Sequence, residues 1–133
     1  MVRTYDPRDV AVIVDGRIIT GVADGTFVSA EKEEDQWEPY VGAQGEVARA
    51  RNAHPIGTIS VTVEHTSPSN AHLAQLAGSS RLFPARVVDR QNNNVSIGGS
   101  ACWVQKPGSM EFGGEVSEIE WVIVVADYEQ RVN

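Results

Sequence analysis

The chain has 133 residues, the size of one ordinary domain, and this length is enough to bury a hydrophobic core without disulfides or metals. Its net charge of −7 argues against a nucleic-acid-binding protein, because phosphate binding requires a clustered excess of Lys and Arg. No apolar run approaches the roughly 20 residues of a membrane-spanning helix, and the first residues show no signal-peptide pattern. We therefore expect a soluble protein made in a cytosol, whose single cysteine, Cys102, forms no intrachain disulfide.

Two short apolar runs near the start predict a β-hairpin. Residues 10–14 are mainly β-branched, and a second run follows at residues 17–19. Asp15 and Gly16 separate the two runs, and Asp-Gly suits a tight hairpin turn because both of its central residues adopt a positive φ. The pattern therefore predicts two antiparallel strands joined at Asp15-Gly16.

Residues 26–33 and 46–51 alternate loosely between apolar and polar side chains, which predicts two more strands. The acidic and aromatic stretch between them, residues 34–44, is predicted to form the tip of a long hairpin. Trp37 lies in this stretch among five acidic residues, where an isolated exposed ring is costly. The sequence leaves two roles open for Trp37: a contact with another chain, or an anchor for its own loop.

The clearest strand pattern spans Gly57–Glu64. Its apolar side chains point to one face and its hydroxyl side chains to the other, because successive residues of a strand alternate between faces. One face should therefore lie on a core, and the other should be wet or line a lumen. The apolar set is Ile59, Val61 and Val63, and the hydroxyl set is Thr58, Ser60 and Thr62.

One helix is predicted after this strand. Ser67 can cap it, Pro68 suits the first helical position, and Gly78 can end it. Small and apolar residues form its predicted buried stripe. These residues are Ala71, Leu73, Ala74, Leu76 and Ala77.

Three strands are predicted in the second half of the chain. Phe83–Asp89 and Val95–Gln105 form a pair joined by the polar turn at residues 90–94, and Ser117–Ala126 is the last. The end of that strand, Val122–Val125, is apolar on both sides, so it must be covered twice, by the core and by a helix or a neighbouring subunit. We expect the side chains of Trp103 and Trp121 in the core.

These elements predict a mainly β fold, a sandwich or small barrel with one flanking helix, in a single domain covering residues 1–133. The sequence does not predict a catalytic or metal site. The three histidines fit no zinc spacing, and Gly98–Cys102 lacks the second glycine of a nucleophile elbow and more simply indicates a strand bulge. Glu118 and Glu120 are better explained as solvated charges than as a glycosidase pair. We expect neither an enzyme nor a cofactor-binding protein.

Six segments spread along the chain follow one another in an order and spacing typical of one protein family. They are Tyr5-Asp6-Pro7, 23–28, 45–49, 57–63, Thr66-Ser67-Pro68-Ser69-Asn70, and 111–116 leading into Trp121. Together they resemble the tail tube proteins of contractile-tailed bacteriophages, in particular a family of short, single-domain phage structural proteins. The start of the predicted helix, at residues 66–70, is the most distinctive of these segments.

The resemblance implies a structural subunit of the virion tail, made in the host cytoplasm, whose hexameric rings stack into a hollow tube. It implies a tail sheath protein outside the tube, a tape-measure protein inside it during assembly, DNA passing through without specific binding, and no membrane or cofactor. The candidate residues facing the lumen are Ser29, Glu31, Thr58, Ser60 and Thr62. The candidate contacts between rings or subunits are Tyr5, Glu34, Trp37, Tyr40, Val122 and Val124.

The excess of acidic residues acquires a role in this context, because an acidic lumen would not retain the DNA that it passes. Arg49 and Arg51 fit poorly, since they would attract phosphate in a lumen unless Glu31 or Glu33 paired with them. Two alternatives remain. One is another virion protein, such as a capsid decoration or head–tail joining protein. The other is a small β-barrel with a ligand pocket among Trp103, Trp121 and the glycine-rich strand.

Overall fold

A computed structural model describes residues 4–89 and 95–132 of the chain. These residues are mainly β with one α-helix, which confirms the predicted fold class. The predicted turn at residues 90–94 lies outside the described residues. The elements are a 3₁₀ helix Pro7–Asp9, β1 Val10–Val14, β2 Arg17–Ile18, β3 Val28–Lys32, β4 Trp37–Val41, β5 Val47–Arg51, β6 Gly57–Glu64, α1 Ser69–Ala77, β7 Phe83–Asp89, β8 Val95–Val104, β9 Glu118–Val125 and β10 Glu129–Arg131.

Most strands belong to one antiparallel sheet with the order β2-β1-β7-β8-β9-β6-β3. The long strand β8 has two partners on one side, because β10 pairs with its first half and β9 with its last residues. Strands β4 and β5 form a separate two-stranded sheet. The prediction that residues 34–44 form the tip of a hairpin between strands 26–33 and 46–51 was wrong, because residues 37–41 are a strand that pairs with β5, while β3 pairs with β6. The hairpin of β4 and β5 stands apart from the main sheet.

One face of the main sheet carries the hydrophobic core. Burial alternates along β6, as the sequence pattern predicts, and Trp121 is fully buried. Burial also alternates along β9, where Val122 and Val124 are only half-buried, so the cover expected on both faces of this strand is incomplete within the described residues.

Helix α1 contributes Leu73 and Leu76 to the hydrophobic core. Ala71 and Ala74 are exposed, so the predicted helical stripe was too wide, because a helix lying on one sheet buries only the side chains that point at it.

The first hairpin forms at the predicted turn. Asp15 has a φ of 51° and Gly16 a φ of 79°, and Val14 pairs with Arg17 across the turn. These angles agree with the tight turns that favour Asp-Gly. The Asp15 carboxylate also accepts hydrogen bonds from the Arg81 guanidinium, which holds the pKa of Asp15 below its usual range.

Helix α1 begins at Ser69, one residue after the predicted first position. Pro68 already has helical dihedral angles, and the hydroxyl of Ser67 accepts a hydrogen bond from the Ser69 amide at 3.1 Å. The Ser67 hydroxyl also donates to the Thr20 carbonyl at 2.5 Å, and the Ser69 hydroxyl accepts from the Thr20 amide at 3.0 Å. Ser67 therefore bonds the first amide of the helix, and both serines attach the helix to the segment that follows β2.

A bulge lies at the paired glycines of β8, as the sequence indicates. Phe83 pairs with Cys102 and Ala85 with Gly99, so β8 has one more residue than β7 between these pairs. Gly98 has a φ of 145°, and a Cβ at this position would overlap the Ala85 carbonyl oxygen. Only glycine allows the two backbones to approach so closely.

Candidate assembly surfaces

The side chains of β3, β6 and β9 that point away from the core form one continuous surface, which we call the outer face. Across these strands, Ser29 lies opposite Ser60, and Ser60 lies opposite Val122. In the neighbouring row, Glu31 lies opposite Thr58, which lies opposite Val124. Thr62 pairs with Glu120 in a third row. All five predicted lumen residues therefore share one surface with Val122 and Val124, which the sequence had assigned to subunit contacts.

The prediction of Trp103 in the core was wrong. Trp103 pairs with Val124, which places it on the outer face, and 38% of its surface is exposed. Its neighbours Cys102 and Val104 point to the core instead. A large aromatic side chain favours burial, but the pairing register with β9 determines which face of the sheet Trp103 occupies. Trp103 and Trp121 thus lie on opposite sides of the sheet and cannot line one ligand pocket.

The hairpin of β4 and β5, residues 37–51, is exposed along both strands. One of its faces, which we call the Trp37 face, combines large apolar side chains with two cations. Its other face carries Glu38 and Tyr40 opposite alanines, and Tyr40 is 68% exposed. The Trp37 face consists of Trp37, Pro39, Val41, Val47, Arg49 and Arg51.

The Trp37 side chain is partly exposed and contacts two arginines of its own chain. Its ring is 40% exposed, and the guanidinium of Arg49 lies 3.9 Å from the ring centroid, with that of Arg51 at 5.7 Å. These are cation–π contacts, which arginine makes well because its guanidinium is planar. Within residues 4–89 and 95–132, neither arginine makes a salt bridge, so the pairing with Glu31 or Glu33 considered from the sequence is absent there.

Polar contacts hold the root of the hairpin. Nδ1 of His54 lies 3.0 Å from Glu34 Oε2, and the Asn52 side-chain amide donates to Glu34 Oε1 at 3.4 Å. Glu34, a predicted contact between rings, thus interacts within its own chain. Tyr5, another predicted contact, is 63% exposed just before the 3₁₀ helix.

A loop at residues 106–117 joins β8 to β9 and carries exposed apolar side chains among acids. Met110, Phe112 and Val116 are all more than half exposed. The ring of Phe112 makes an edge contact with His65, with centroids 4.9 Å apart, and the Ser117 hydroxyl donates to the Glu111 carbonyl at 2.8 Å. The loop is therefore attached to the sheet while its apolar side chains face solvent.

Among the described residues, two other side chains that could act chemically, Asp127 and Cys102, are held in hydrogen bonds or buried. Asp127 accepts hydrogen bonds from the hydroxyl and amide of Ser100 and from the Ala101 amide, and these bonds lower its pKa. Burial raises the pKa of the Cys102 thiol to about 11. Among residues 4–89 and 95–132, no group of three or more His, Cys, Asp or Glu is arranged to hold a metal ion. No helix in that part of the chain has the length and apolarity of a membrane span.

Comparison with known families identifies the family of the chain. Residues 12–132 match the family model described as "Bacteriophage PhiTE tail tube protein". The chain belongs to this phage tail tube family. The resemblance drawn from the sequence segments is thereby confirmed. A search of curated proteins gives no match.

Three solved structures share the fold at low sequence identity. The sheath/tube terminator of an extracellular contractile injection system, PVC, in its extended state has a TM-score of 0.70 and 9% identity, covering 96% of each chain. The tube-terminating cap of the anti-feeding prophage has a TM-score of 0.62 and 9% identity, covering 100% of this chain and 95% of that one. A chain in the virion of a native gene transfer agent particle has a TM-score of 0.63 and 13% identity, covering 98% and 99%.

Proposed function

We propose that this chain is the tube subunit of a bacteriophage tail, assembling into stacked hexameric rings that form the conduit for DNA. The family match across residues 12–132 carries this proposal, because it covers nearly the whole chain. On this proposal the chain acts as one tail-tube domain and has a structural role rather than an enzymatic one. The subunit is made in the host cytoplasm and resides in the virion tail.

We assign to the channel the rows of the outer face that carry Ser29, Glu31, Thr58, Ser60 and Thr62. These rows offer hydroxyl and carboxylate side chains, whereas Arg49 and Arg51 lie on the hairpin. A surface of this kind repels phosphate. Val122 and Val124 then belong to the channel wall, because the register places them in the rows of Ser60 and Thr58.

The proposed partners follow from this arrangement. Copies of the same chain form the rings, and a tail sheath protein surrounds them. A tape-measure protein occupies the channel during assembly, and DNA passes later without specific binding. A ring of six chains multiplies the net charge of −7 sixfold, which favours passage over adhesion.

Electron microscopy of the purified chain at high concentration tests the proposal. We expect rings and hollow tubes. A chain that stays monomeric throughout the concentration series would contradict it.

Chemical labelling tests the channel assignment. In Ser60→Cys, a bulky maleimide should label free subunits rapidly and assembled tubes several-fold more slowly, because the channel restricts access. The native Cys102 should contribute little signal, since its side chain is fully buried and its thiol pKa is raised to about 11. Equal labelling of tubes and free subunits would place Ser60 outside the channel.

A second candidate function is a ring that closes one end of the tube. The solved structures favour it, because two of them are described as a sheath/tube terminator and a tube-terminating cap. Tube length separates the two functions. Tubes made of a tube subunit should become longer as the protein concentration rises. A terminator should form single rings, and these rings should stop the growth of tubes made by another protein.

A further inference from the structure

Two surfaces of opposite charge lie at opposite ends of the sheet. The hairpin leaves the sheet where Lys32 of β3 pairs with Gly57 of β6. The 106–117 loop enters β9 at the other end, where Glu118 pairs with Glu64. The eight residues of β6 separate these ends by about 25 Å, at about 3.3 Å per residue.

The Trp37 face of the hairpin lacks a partner in the described residues. A two-stranded hairpin is only marginally stable in water, and this one exposes Trp37, Val41 and Val47 to solvent. Arg49 and Arg51 lie on the same face without a carboxylate partner among the described residues. The face therefore fits a partner surface that is apolar and acidic.

The opposite end of the sheet has this character. We call it the acidic end, a depression of ≈ 360 Å³ in which Lys106 is outnumbered by the carboxylates of Glu111, Glu118 and Glu120. Glu64 and Glu118 also face each other across β6 and β9, and like charges directly opposite one another destabilise a strand pair. The exposed side chains of Met110 and Phe112 belong to the loop that borders this depression, so its end of the sheet offers apolar contact beside its charges.

We propose that the Trp37 face of one copy docks on the acidic end of a second copy, head to tail. Arg49 and Arg51 would neutralise Glu111 and Glu118, which lie beyond the rows assigned to the channel, while the apolar side chains pack against Met110 and Phe112. The occupant is a second copy rather than nucleic acid, because the apolar side chains of the Trp37 face require apolar contact beside the charges, and the acidic end supplies it through Met110 and Phe112.

This contact rests on the proposed function, since it supplies the connection between successive rings. A contact between different surfaces at opposite ends of a subunit does not close on itself, so it repeats along an axis and produces an open tube. The proposal therefore names the surface that receives the hairpin of the next ring.

Two charge-reversal variants test it. Arg49→Glu/Arg51→Glu makes the hairpin acidic, and Glu111→Arg/Glu118→Arg makes the acidic end basic. Each variant alone should assemble poorly, with a critical concentration at least about tenfold above that of the wild type, because like charges then meet at every contact. An equal mixture should form tubes again, since each hairpin then finds an oppositely charged end in the other variant.

Sedimentation and negative-stain microscopy read out the assembly, and circular dichroism checks the fold. Arg17→Glu/Arg131→Glu, at two exposed positions outside both surfaces, makes the same change in net charge as Arg49→Glu/Arg51→Glu and should assemble like the wild type. If either reversal variant unfolds, Arg49→Gln/Arg51→Gln is used to test the contact instead. Rings of this variant should stack more weakly than wild-type rings, and their stacking should depend less on salt concentration.

The outcomes distinguish this inference from the proposed function. If the wild type forms no tubes, the proposed function fails. If the wild type forms tubes but hairpin reversal leaves assembly unchanged, or the mixture does not restore it, the inference alone is overturned. Unchanged stacking and salt dependence of Arg49→Gln/Arg51→Gln would overturn it equally.

Discussion

At the scale of single residues, Asn70 has a structural role, and it lies in the segment 66–70 that is the most distinctive part of the family resemblance. Asn70 donates from its side-chain amide to the carbonyls of Glu64 and His65, at 3.0 and 3.1 Å, and accepts from the Trp121 indole at 3.0 Å. It thus joins the start of the helix to the end of β6 and to the largest core side chain. A buried indole N–H needs such a partner, because leaving it unpaired costs about 1–3 kcal/mol.

Asn70→Ala should therefore lower the free energy of unfolding by about 2–3 kcal/mol, since it leaves the indole and two backbone carbonyls without their partner. Asn70→Asp is the matched control, because it keeps an oxygen for Trp121 and loses the amide donors. It should fall between the alanine variant and the wild type. Urea denaturation measures all three, and equal stability of Asn70→Ala and the wild type would refute the role.

Asp127 predicts a pH dependence. Hydrogen bonds from Ser100 and Ala101 lower its pKa in the folded state, so its contribution to stability is complete above the unfolded pKa of about 3.9 and is lost as the pH falls through the lower folded value. Asp127→Ala should cost about 1 kcal/mol at pH 7, because the carboxylate is exposed and water weakens each bond. The difference between the melting temperatures of the two proteins should shrink as the pH falls below about 4. A difference that stays constant over this range would contradict the assignment.

At the scale of elements, the hairpin of β4 and β5 has few buried contacts to stabilise it within its own chain. It is exposed along both strands, and its ordering within one chain comes from pairing between β4 and β5, the stacking of Arg49 on Trp37, and the contacts of Glu34 at its root. Few buried contacts hold it, so it should be the first element to open in an isolated subunit.

Trp37→Ala should impair assembly while leaving the core intact. The substitution removes a large apolar contact and the platform for Arg49, but the ring lies outside the hydrophobic core. We expect unchanged thermal stability of the monomer and a rise of at least about tenfold in the critical concentration for tubes. Tyr40→Ala, on the other hairpin face, is the control and should have a smaller effect. Unchanged tube yield in Trp37→Ala would remove this ring from the interface.

At the scale of the whole molecule, the register of one sheet combines two sets of residues that the sequence had kept separate. Val124 lies in a row with Thr58 and Glu31 on one side and Trp103 on the other. A channel wall and a subunit interface differ in whether they tolerate a charged side chain in this row. A charge is tolerated in a wet channel, and an unpaired charge is costly in a dry interface.

Val124→Glu separates these possibilities. We expect tubes to form at nearly the wild-type concentration, because we assign the row of Val124 to the channel, where a carboxylate remains hydrated. Val124→Thr, of similar size, is the matched control for packing. If the threonine variant forms tubes and the folded glutamate variant does not, this part of the outer face is covered by a neighbouring subunit. Microscopy with circular dichroism of the free subunits provides both measurements.

Local dihedral preferences, side-chain alternation and matching segments are readable in the amino-acid sequence. They were enough to predict the mainly β class, the Asp15-Gly16 turn, the helix start to within one residue, the alternating faces of β6 and the family. Which residues share a surface became known only from the folded chain. The position of Trp103 depends on its register with β9, and the separation of the hairpin from the main sheet depends on pairing. Register sums many weak contacts between distant segments, so no local pattern in the sequence determines it.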